Sequence, residues 1–207
     1  VFRQALEECD TAWEPFFKVI LTLSSHEPFE VPMDPVFEGT DDESKFFNAC
    51  YYTDRSLGEF VRNARTSSWW ENTAILLVAD HGHRLPGNRQ LTDAERFRIP
   101  FLITGGAVKT DSVIHTFASQ TDIANTILGQ VGEPRSLFRF SKDLFSPGAE
   151  SFAAYFFNNG YGFVAPGIYI THDNTGKQFQ TKDGASNEML ELSKAYQQVL
   201  FTDYNSK

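Results

Sequence analysis

Cysteine is scarce in this sequence, and its scarcity excludes two kinds of small scaffold. The 207 residues contain two cysteines, Cys9 and Cys50, which lie far apart in the chain. They have neither the spacing of a zinc-binding motif nor the density of a disulfide framework. The sequence leaves open whether they pair and gives no indication of the redox compartment.

An excess of basic residues is also missing. Lys and Arg total 18 against 27 Asp and Glu, which gives a formal net charge of −9. Nucleic acids and anionic membrane surfaces attract proteins through surplus cations, so we expect no nucleic-acid partner. A small anionic substrate stays compatible with this balance, because one local cation or metal ion can outweigh the net charge.

The sequence has no apolar run long enough to cross a membrane. Its longest runs, such as Ala74–Ala79, are far shorter than the roughly 20 residues that a membrane helix needs. No signal peptide is recognisable. The chain begins on Val1 rather than on Met, so we expect it to be a piece of a longer protein.

What the sequence does contain is the material for a folded core. Hydrophobic residues make up 41% of the chain, and 20 of the residues are Phe. Strand and helix patterns alternate through the first two thirds of the chain, which indicates an α/β fold with a mainly parallel sheet flanked by helices. Two hairpin patterns and a closing helix follow, which indicates a small antiparallel subdomain. We therefore predict two domains, 1–146 and 147–207.

The polar segment Asp80-His81-Gly82-His83 follows the clearest predicted strand, residues 73–79. A carboxylate and an imidazole are good ligands for a divalent metal ion, and loops after such strands commonly bind ligands. The alternative is that Asp80 caps a turn and His81 is an ordinary loop histidine. The motif in this position favours metal ligation by Asp80 and His81, with His83 close enough to join the site.

His26 also follows a predicted strand, residues 16–23. If this strand and the strand 73–79 are parallel, with the helix predicted over residues 41–65 as the crossover, their following loops open at the same edge of the sheet. A histidine there can hold an anionic substrate or donate a proton to a leaving group. Taken alone, the position of His26 favours a surface loop histidine that only bonds to backbone.

Five motifs follow one another along the chain. They are Leu23-Ser24-Ser25-His26-Glu27-Pro28-Phe29, Tyr52-x-Asp54-x-x-Leu57-Gly58-x-Phe60, Val78-Ala79-Asp80-His81-Gly82-His83, Arg98-Ile99-Pro100-Phe101 and Ser119 to Leu128. In this order they resemble the motifs of the sulfatase family, and most of all its branch that includes lipoteichoic acid synthase, a phosphoglycerol transferase of the alkaline phosphatase superfamily. The resemblance covers about residues 1–132 and continues more weakly beyond. The combination is specific, whereas each motif alone is not.

The resemblance implies an alkaline-phosphatase-like fold and a divalent metal of manganese or zinc type, or calcium in a true sulfatase. It maps Asp80 and His81 onto metal ligands and His26 onto a contact to the substrate anion, and His83 is a further candidate for substrate binding. The substrate would be a phosphate or sulfate ester. The resemblance further implies a membrane-anchored parent protein in the cell envelope, outside the cytoplasm.

The family's nucleophile, which forms a covalent intermediate with the ester, lies upstream of the region that this chain matches. No catalytic nucleophile is therefore assigned here, and we expect the 207 residues alone to be inactive. The alternative function is a non-catalytic binding or structural domain that retains the sulfatase scaffold. The sequence does not decide whether the substrate is a phosphate ester or a sulfate ester. It also leaves open whether the group is transferred to an acceptor or hydrolysed.

Overall fold

The computed structural model describes residues 1–135 and 137–207 of the chain. Within these ranges the backbone forms α-helices and β-strands of ordinary length, joined by long irregular segments. The helices are α1 (Phe2–Asp10), α2 (Asp42–Ala64), α3 (Asp122–Val131) and α4 (Asn187–Asn205). The strands are β1 (Ile75–Val78), β2 (Phe101–Thr104), β3 (Ala153–Phe157), β4 (Gly160–Ala165), β5 (Ile168–Asp173) and β6 (Gln178–Asp183).

The first of two compact units comprises residues 1–89 and 98–112. Helix α2 is its longest element and is capped by Asp41, whose carboxylate accepts hydrogen bonds from the backbone N–H groups of Glu43 and Ser44. These two bonds satisfy two donors that the first helical turn otherwise leaves unpaired. The sequence analysis predicted this helix over residues 41–65, within one residue of the observed bounds at each end. A core cluster under α1 and α2 contains Cys9, Ala64, Trp69 and Trp70.

Strand β1 pairs with β2 in an antiparallel ladder with Val78 opposite Phe101. The strand predicted over residues 16–23 is wrong for the described part of the chain, where that segment joins no ladder. Exposed and half-buried side chains nevertheless alternate along this segment. Phe17, Val19, Leu21 and Leu23 are 70–82% exposed, and the residues between them are half-buried. A strand needs a hydrogen-bonded neighbour, and the expected parallel pairing to β1 is not formed.

The second compact unit comprises residues 90–97 and 113–207. Strands β3 to β6 follow one another in an antiparallel sheet, as the two hairpin patterns predict. Their shared core contains Phe163, Ala165 and Ile170, with Met189 and Leu190 of α4 packed against it. The boundary between the two predicted domains, at residue 146, does not coincide with the bounds of the compact units. It stays a prediction.

None of the described helices is both long enough and apolar enough to span a membrane. The chain is thus a mixed α/β structure, with the loop that carries Asp80 and His81 at the end of β1 in the first unit. The site described next is built wholly from residues of that unit.

Candidate functional site

Asp80 and His81 lie two and three residues beyond the end of β1, where the chain leaves the sheet. The backbone N–H of His81 donates to Oδ1 of Asp80 at 2.9 Å, which fixes the orientation of the carboxylate. The other carboxylate oxygen, Oδ2, then lies 3.7 Å from Nε2 of His81. Two ligands of one tetrahedral ion at about 2.0–2.2 Å are themselves about 3.4 Å apart, so the two donor atoms already lie near that separation.

The imidazole of His81 is oriented by a hydrogen bond at its ring nitrogen Nδ1. Its Nδ1 lies 2.9 Å from the carbonyl oxygen of Gly82. Because a carbonyl only accepts hydrogen bonds, Nδ1 carries a proton, and in the neutral form of the ring Nε2 has its lone pair on the side of Asp80. Metal-binding histidines are commonly oriented by such a bond from the second ring nitrogen.

The residues present fit part of a divalent metal site. Both side chains are about 70% exposed, so an ion could reach them. A carboxylate with an imidazole suits manganese or zinc. A complete site needs about four ligands, and residues 1–135 and 137–207 contain no cluster of three or more Asp, Glu, His or Cys that could hold an ion. Asp80 and His81 thus supply two donor groups of the four that a complete site needs, and their role as metal ligands stays a prediction.

His26 lies in a tight turn of the segment that precedes helix α2 in the chain. The turn is closed by two backbone hydrogen bonds, from His26 to Leu23 at 3.0 Å and from Phe29 to His26 at 2.9 Å. The His26 side chain is exposed, and its Nδ1 lies 2.8 Å from the carbonyl oxygen of Glu27. By the same reasoning as for His81, Nδ1 carries a proton and Nε2 is presented away from this bond.

The turn that carries His26 and the loop that carries Asp80 and His81 are in direct contact. Oε1 of Glu27 lies 3.5 Å from Nε2 of His83 and 3.5 Å from Nη2 of Arg84. Phe29 is 4% exposed and shares a core cluster with Leu85 and Ala49. The structure thus brings together the two loops that the sequence analysis placed at one edge.

His83 lies between these loops rather than at the open surface. Its ring stacks on Phe46 at 5.3 Å and meets Phe29 edge-on at 5.6 Å. Its Nδ1 accepts the backbone N–H of Leu85 at 3.1 Å, so in the neutral ring Nε2 carries the proton that faces Glu27. With 26% of its side chain exposed, His83 has the surroundings of a residue that holds two loops together.

Phe29 has a backbone conformation that costs free energy. Its φ angle is 62°, a left-handed value that bulky residues rarely adopt. Such a conformation persists where the surrounding structure fixes it, and here the aromatic contacts with Phe46 and His83 do so. The strained residue is three positions after His26, so the packing of Phe29 sets the shape of the His26 turn.

The sequence analysis gave no role to four charged residues next to this site, Glu27, Asp42, Lys45 and Arg84. Glu27 directly follows His26 within its motif, whereas Arg84 lies one residue beyond the motif that ends at His83. Arg84 reaches Glu27 and, at 3.3 Å, Oδ2 of Asp42. Lys45 lies one turn after Asp42 on α2. It lines a surface depression that Glu27, Asp42 and Arg84 also line. The periodicity of apolar residues gives no information about such charged residues. Only the fold brings them together.

With this geometry established, comparison with known proteins places the chain in a family. The sulfatase family description matches residues 1–133, so the chain belongs to the sulfatase family. This is a family of ester-modifying enzymes of the sulfatase type.

Among individual proteins, the chain is 25% identical over 210 residues to lipoteichoic acid synthase 1 of Bacillus subtilis (strain 168), which covers 90% of this chain and 32% of that protein. It is 24% identical over 221 residues to lipoteichoic acid synthase of Staphylococcus saprophyticus, covering 93% and 34%. A shorter match, 30% over 93 residues, is to arylsulfatase K of Canis lupus familiaris and covers 43% of this chain. The chain spans about a third of the length of the synthases that it matches.

A solved structure confirms the fold class. A protein in the alkaline phosphatase superfamily from Vibrio parahaemolyticus superposes with a TM-score of 0.74, at 24% identity, over 94% of this chain and 51% of that one. The predicted sulfatase resemblance and the predicted alkaline-phosphatase-like α/β fold are therefore both confirmed. The roles of Asp80, His81, His26 and His83 stay predictions.

Proposed function

We propose that this chain is part of a metal-dependent enzyme that cleaves or transfers phosphate or sulfate esters, in the manner of a phosphoglycerol transferase. Family membership supports the reaction class. The observation that carries the proposal for this chain is the arrangement of Asp80 and His81, whose donor atoms Oδ2 and Nε2 converge at 3.7 Å beside the loop of His26. In this proposal the nucleophile that forms the covalent intermediate lies upstream of the chain.

Asp80 and His81 would hold a divalent ion of manganese or zinc type, or calcium if the substrate is a sulfate. When bound, such an ion neutralises charge on the transferring group and lowers the pKa of an attacking hydroxyl. His81 contributes a neutral ring held by Gly82, and Asp80 contributes a carboxylate held by the His81 backbone.

His26 would contact the ester anion. In its imidazolium form the exposed Nε2–H donates to an anionic oxygen, while Nδ1–H keeps the ring bonded to the carbonyl of Glu27. The contacts of His83 favour a positioning role, in which its ring holds the His26 turn against the Asp80 loop. We propose that the intact protein acts at the cell envelope, outside the cytoplasm, and is membrane-anchored there.

Metal titration of the purified protein tests the proposal without relying on turnover. Isothermal titration calorimetry with Mn²⁺ and with Zn²⁺ should show binding that is at least 10-fold weaker in both Asp80→Ala and His81→Ala. His115→Ala removes an exposed histidine of the other compact unit and should bind as the wild type does. Equal affinity in all four proteins would overturn the metal assignment.

Turnover of phosphate and sulfate esters by the intact gene product then tests the reaction class. Release of alcohol from one ester series, but not from the other, decides between phosphate and sulfate. Metal binding without turnover of either series would favour the alternative, a binding domain on a sulfatase scaffold.

A further inference from the structure

Arg84 reaches the His26 turn from the loop that follows β1. Its Nη2 lies 3.5 Å from Oε1 of Glu27 and 3.3 Å from Oδ2 of Asp42, and its Nη1 lies 3.4 Å from Oδ1 of Asn88. These partners belong to three separate segments, which are the His26 turn, the start of α2 and the loop itself. A planar guanidinium carries five donors in a fixed fork, so it can hold all three in one arrangement.

The Glu27 carboxylate is held at one oxygen by two consecutive residues of that loop. Its Oε1 lies 3.5 Å from Nε2 of His83 and 3.5 Å from Nη2 of Arg84. Exposed ion pairs of this length contribute little to stability. Their contribution here is geometric, because Glu27 also provides the backbone carbonyl that accepts the Nδ1–H of His26 at 2.8 Å. Contacts that hold the Glu27 side chain therefore limit how far this carbonyl can turn.

The His26 turn is anchored in the core on one side. Downstream, Phe29 is 4% exposed and belongs to a core cluster. Upstream, residues 16–23 join no ladder in the described part of the chain. The depression beside the turn is a cavity of about 400 Å³ with Glu27 and Arg84 in its lining. On this side, polar contacts rather than close packing hold the turn.

The loop that carries Arg84 is itself fixed to helix α2. The backbone N–H of Gly87 donates to Oε2 of Glu43 at 3.0 Å, which joins the loop to the first turn of the helix. The backbone N–H of Arg89 donates to the carbonyl oxygen of Arg84 at 2.8 Å and closes the loop on itself. Functional side chains are held precisely when the residues around them are locked in this way. Arg84 thus contacts Glu27 from a fixed frame.

We propose that Arg84 is a positioning residue, which holds Glu27 and thereby fixes the ring of His26 with its Nε2 available to the ester anion. The inference rests on the proposed function, in which His26 contacts that anion. Arg84 itself touches no reacting atom in this role. Because Asp80 and His81 precede Arg84 in the same loop, the guanidinium also sets the spacing between His26 and these two residues.

Nitrogen-15 magnetic resonance of the imidazole rings tests the first step without a substrate. At a pH where the rings are neutral, the shifts of Nδ1 and Nε2 report which nitrogen carries the proton. The signals of His26 are those that vanish in His26→Ala. In the wild type, His26 should be mainly in the Nδ1–H form, because the Glu27 carbonyl accepts that proton.

Arg84→Met should raise the ratio of the Nε2–H form to the Nδ1–H form of His26 at least about 3-fold, since the carbonyl of Glu27 is then free to turn. Arg84→Lys keeps the charge but lacks the fork, so its ratio should lie between those of the wild type and Arg84→Met. It also covers the case in which Arg84→Met fails to fold. A wild-type ratio in both variants would overturn the proposal.

Lys45→Met separates the contact with Glu27 from the overall charge of the cavity. Lys45 lines the same cavity, and its loss changes the net charge as much as the loss of Arg84 does. The variant should keep the wild-type ratio of His26 tautomers. A change as large as that in Arg84→Met would mean that charge alone orients the ring, and would refute the positioning role.

A double-mutant cycle in the intact gene product tests the consequence for turnover. His26→Ala should lower kcat/KM at least about 10-fold, and Arg84→Met at least about 5-fold. In the His26→Ala background, Arg84→Met should cost less than about 2-fold, because Arg84 acts through His26. Arg62→Met, near the other end of α2, is the control that stays at the wild-type value. Losses that multiply in full would overturn the inference.

The outcomes separate this inference from the proposed function. If His26→Ala lowers turnover while neither the tautomer ratio nor the cycle couples Arg84 to His26, the inference alone fails. If His26→Ala keeps wild-type turnover, the role of His26 in the proposed function fails. The positioning role of Arg84 in the reaction then fails with it, even where the tautomer ratio responds to Arg84.

Discussion

Oε1 of Glu27 lies 3.5 Å from Nε2 of His83, and this contact joins the turn that follows His26 to the loop that follows β1. The two residues are far apart in sequence and belong to different motifs. Around the contact, His83 stacks on Phe46 and meets the edge of Phe29. The relative position of the two loops therefore depends on a small set of mostly aromatic contacts.

Replacing His83 by Ala should loosen this junction. The variant loses two aromatic contacts and the acceptor for the Leu85 N–H, so we expect a loss of about 1–3 kcal/mol in the free energy of unfolding. Urea denaturation measures that loss. The Phe29 amide, which bonds to the carbonyl of His26, should also exchange its hydrogen faster. Unchanged exchange at Phe29 would show that His83 does not hold the His26 turn.

Replacing Asp80 or His81 by Ala in the intact gene product should lower turnover of its ester substrate at least about 100-fold, because under the proposed function each variant loses a ligand of the ion that would stabilise the transferring group. The measurement is kcat/KM at saturating metal, with His115→Ala as the control that stays at the wild-type value. Retained turnover in either variant would show that the residue is not a required metal ligand.

The Asp122 carboxylate is the most buried charge in the second unit, and its loss should destabilise the chain strongly. It is 1% exposed and accepts from Lys142 Nζ at 2.6 Å and from the backbone N–H groups of Ser119 and Lys142 at 2.8 Å each. Asp122→Ala leaves the ammonium of Lys142 buried without its partner, at a cost of about 3–5 kcal/mol.

Urea denaturation of the single variant and of Asp122→Ala with Lys142→Met measures that cost. The double variant should recover part of it, because no unpaired charge is left in the interior. Asp111→Ala, at an exposed position, is the control. A double variant that is no more stable than Asp122→Ala would contradict the role of the ion pair.

Tyrosine ionisation should destabilise the chain at alkaline pH. Burial raises the pKa of Tyr161, and the hydrogen bond with Ser193 opposes this only in part. Burial raises the pKa of Tyr155 and Tyr196 in the same direction. Below about pH 10 the phenols are neutral in both states and stability is fully present, whereas above it the unfolded chain ionises first and stability falls.

Urea unfolding at pH 8, 10 and 11 follows this decline. Tyr161→Phe should lose less stability between pH 8 and pH 11 than the wild type, because one of the three buried phenols is gone. Parallel declines in the two proteins would mean that Tyr161 ionises equally in the folded and unfolded chain.

Local signals in the sequence predicted most of the elements. The helix predicted over residues 41–65 matches α2 to within a residue, and the two hairpin patterns match strands β3 to β6. These features depend on residues close in the chain. The prediction of a strand over residues 16–23 was wrong because a strand needs a hydrogen-bonded partner strand, and no local pattern specifies that distant partner.

The candidate site was predictable only in part for the same reason. His26, Asp80 and His81 stand in compact motifs after apolar runs, so sequence reasoning could single them out. Arg84 is half-buried and Lys45 is exposed, and neither belongs to a motif. Their shared cavity exists only because α2 returns beside the His26 turn. The strained φ of Phe29 likewise has no signature in composition or spacing.

The row of side chains formed by Phe17, Val19, Leu21 and Leu23 bears on how the purified chain can be handled. Apolar groups that face water along an extended segment attract the same segment of another molecule, so concentrated samples should precipitate or form fibrils from this row first. A lysine at position 19 or 21 would interrupt the row at little cost to the fold. That variant is the practical starting material for calorimetry and magnetic resonance, which both need high concentrations.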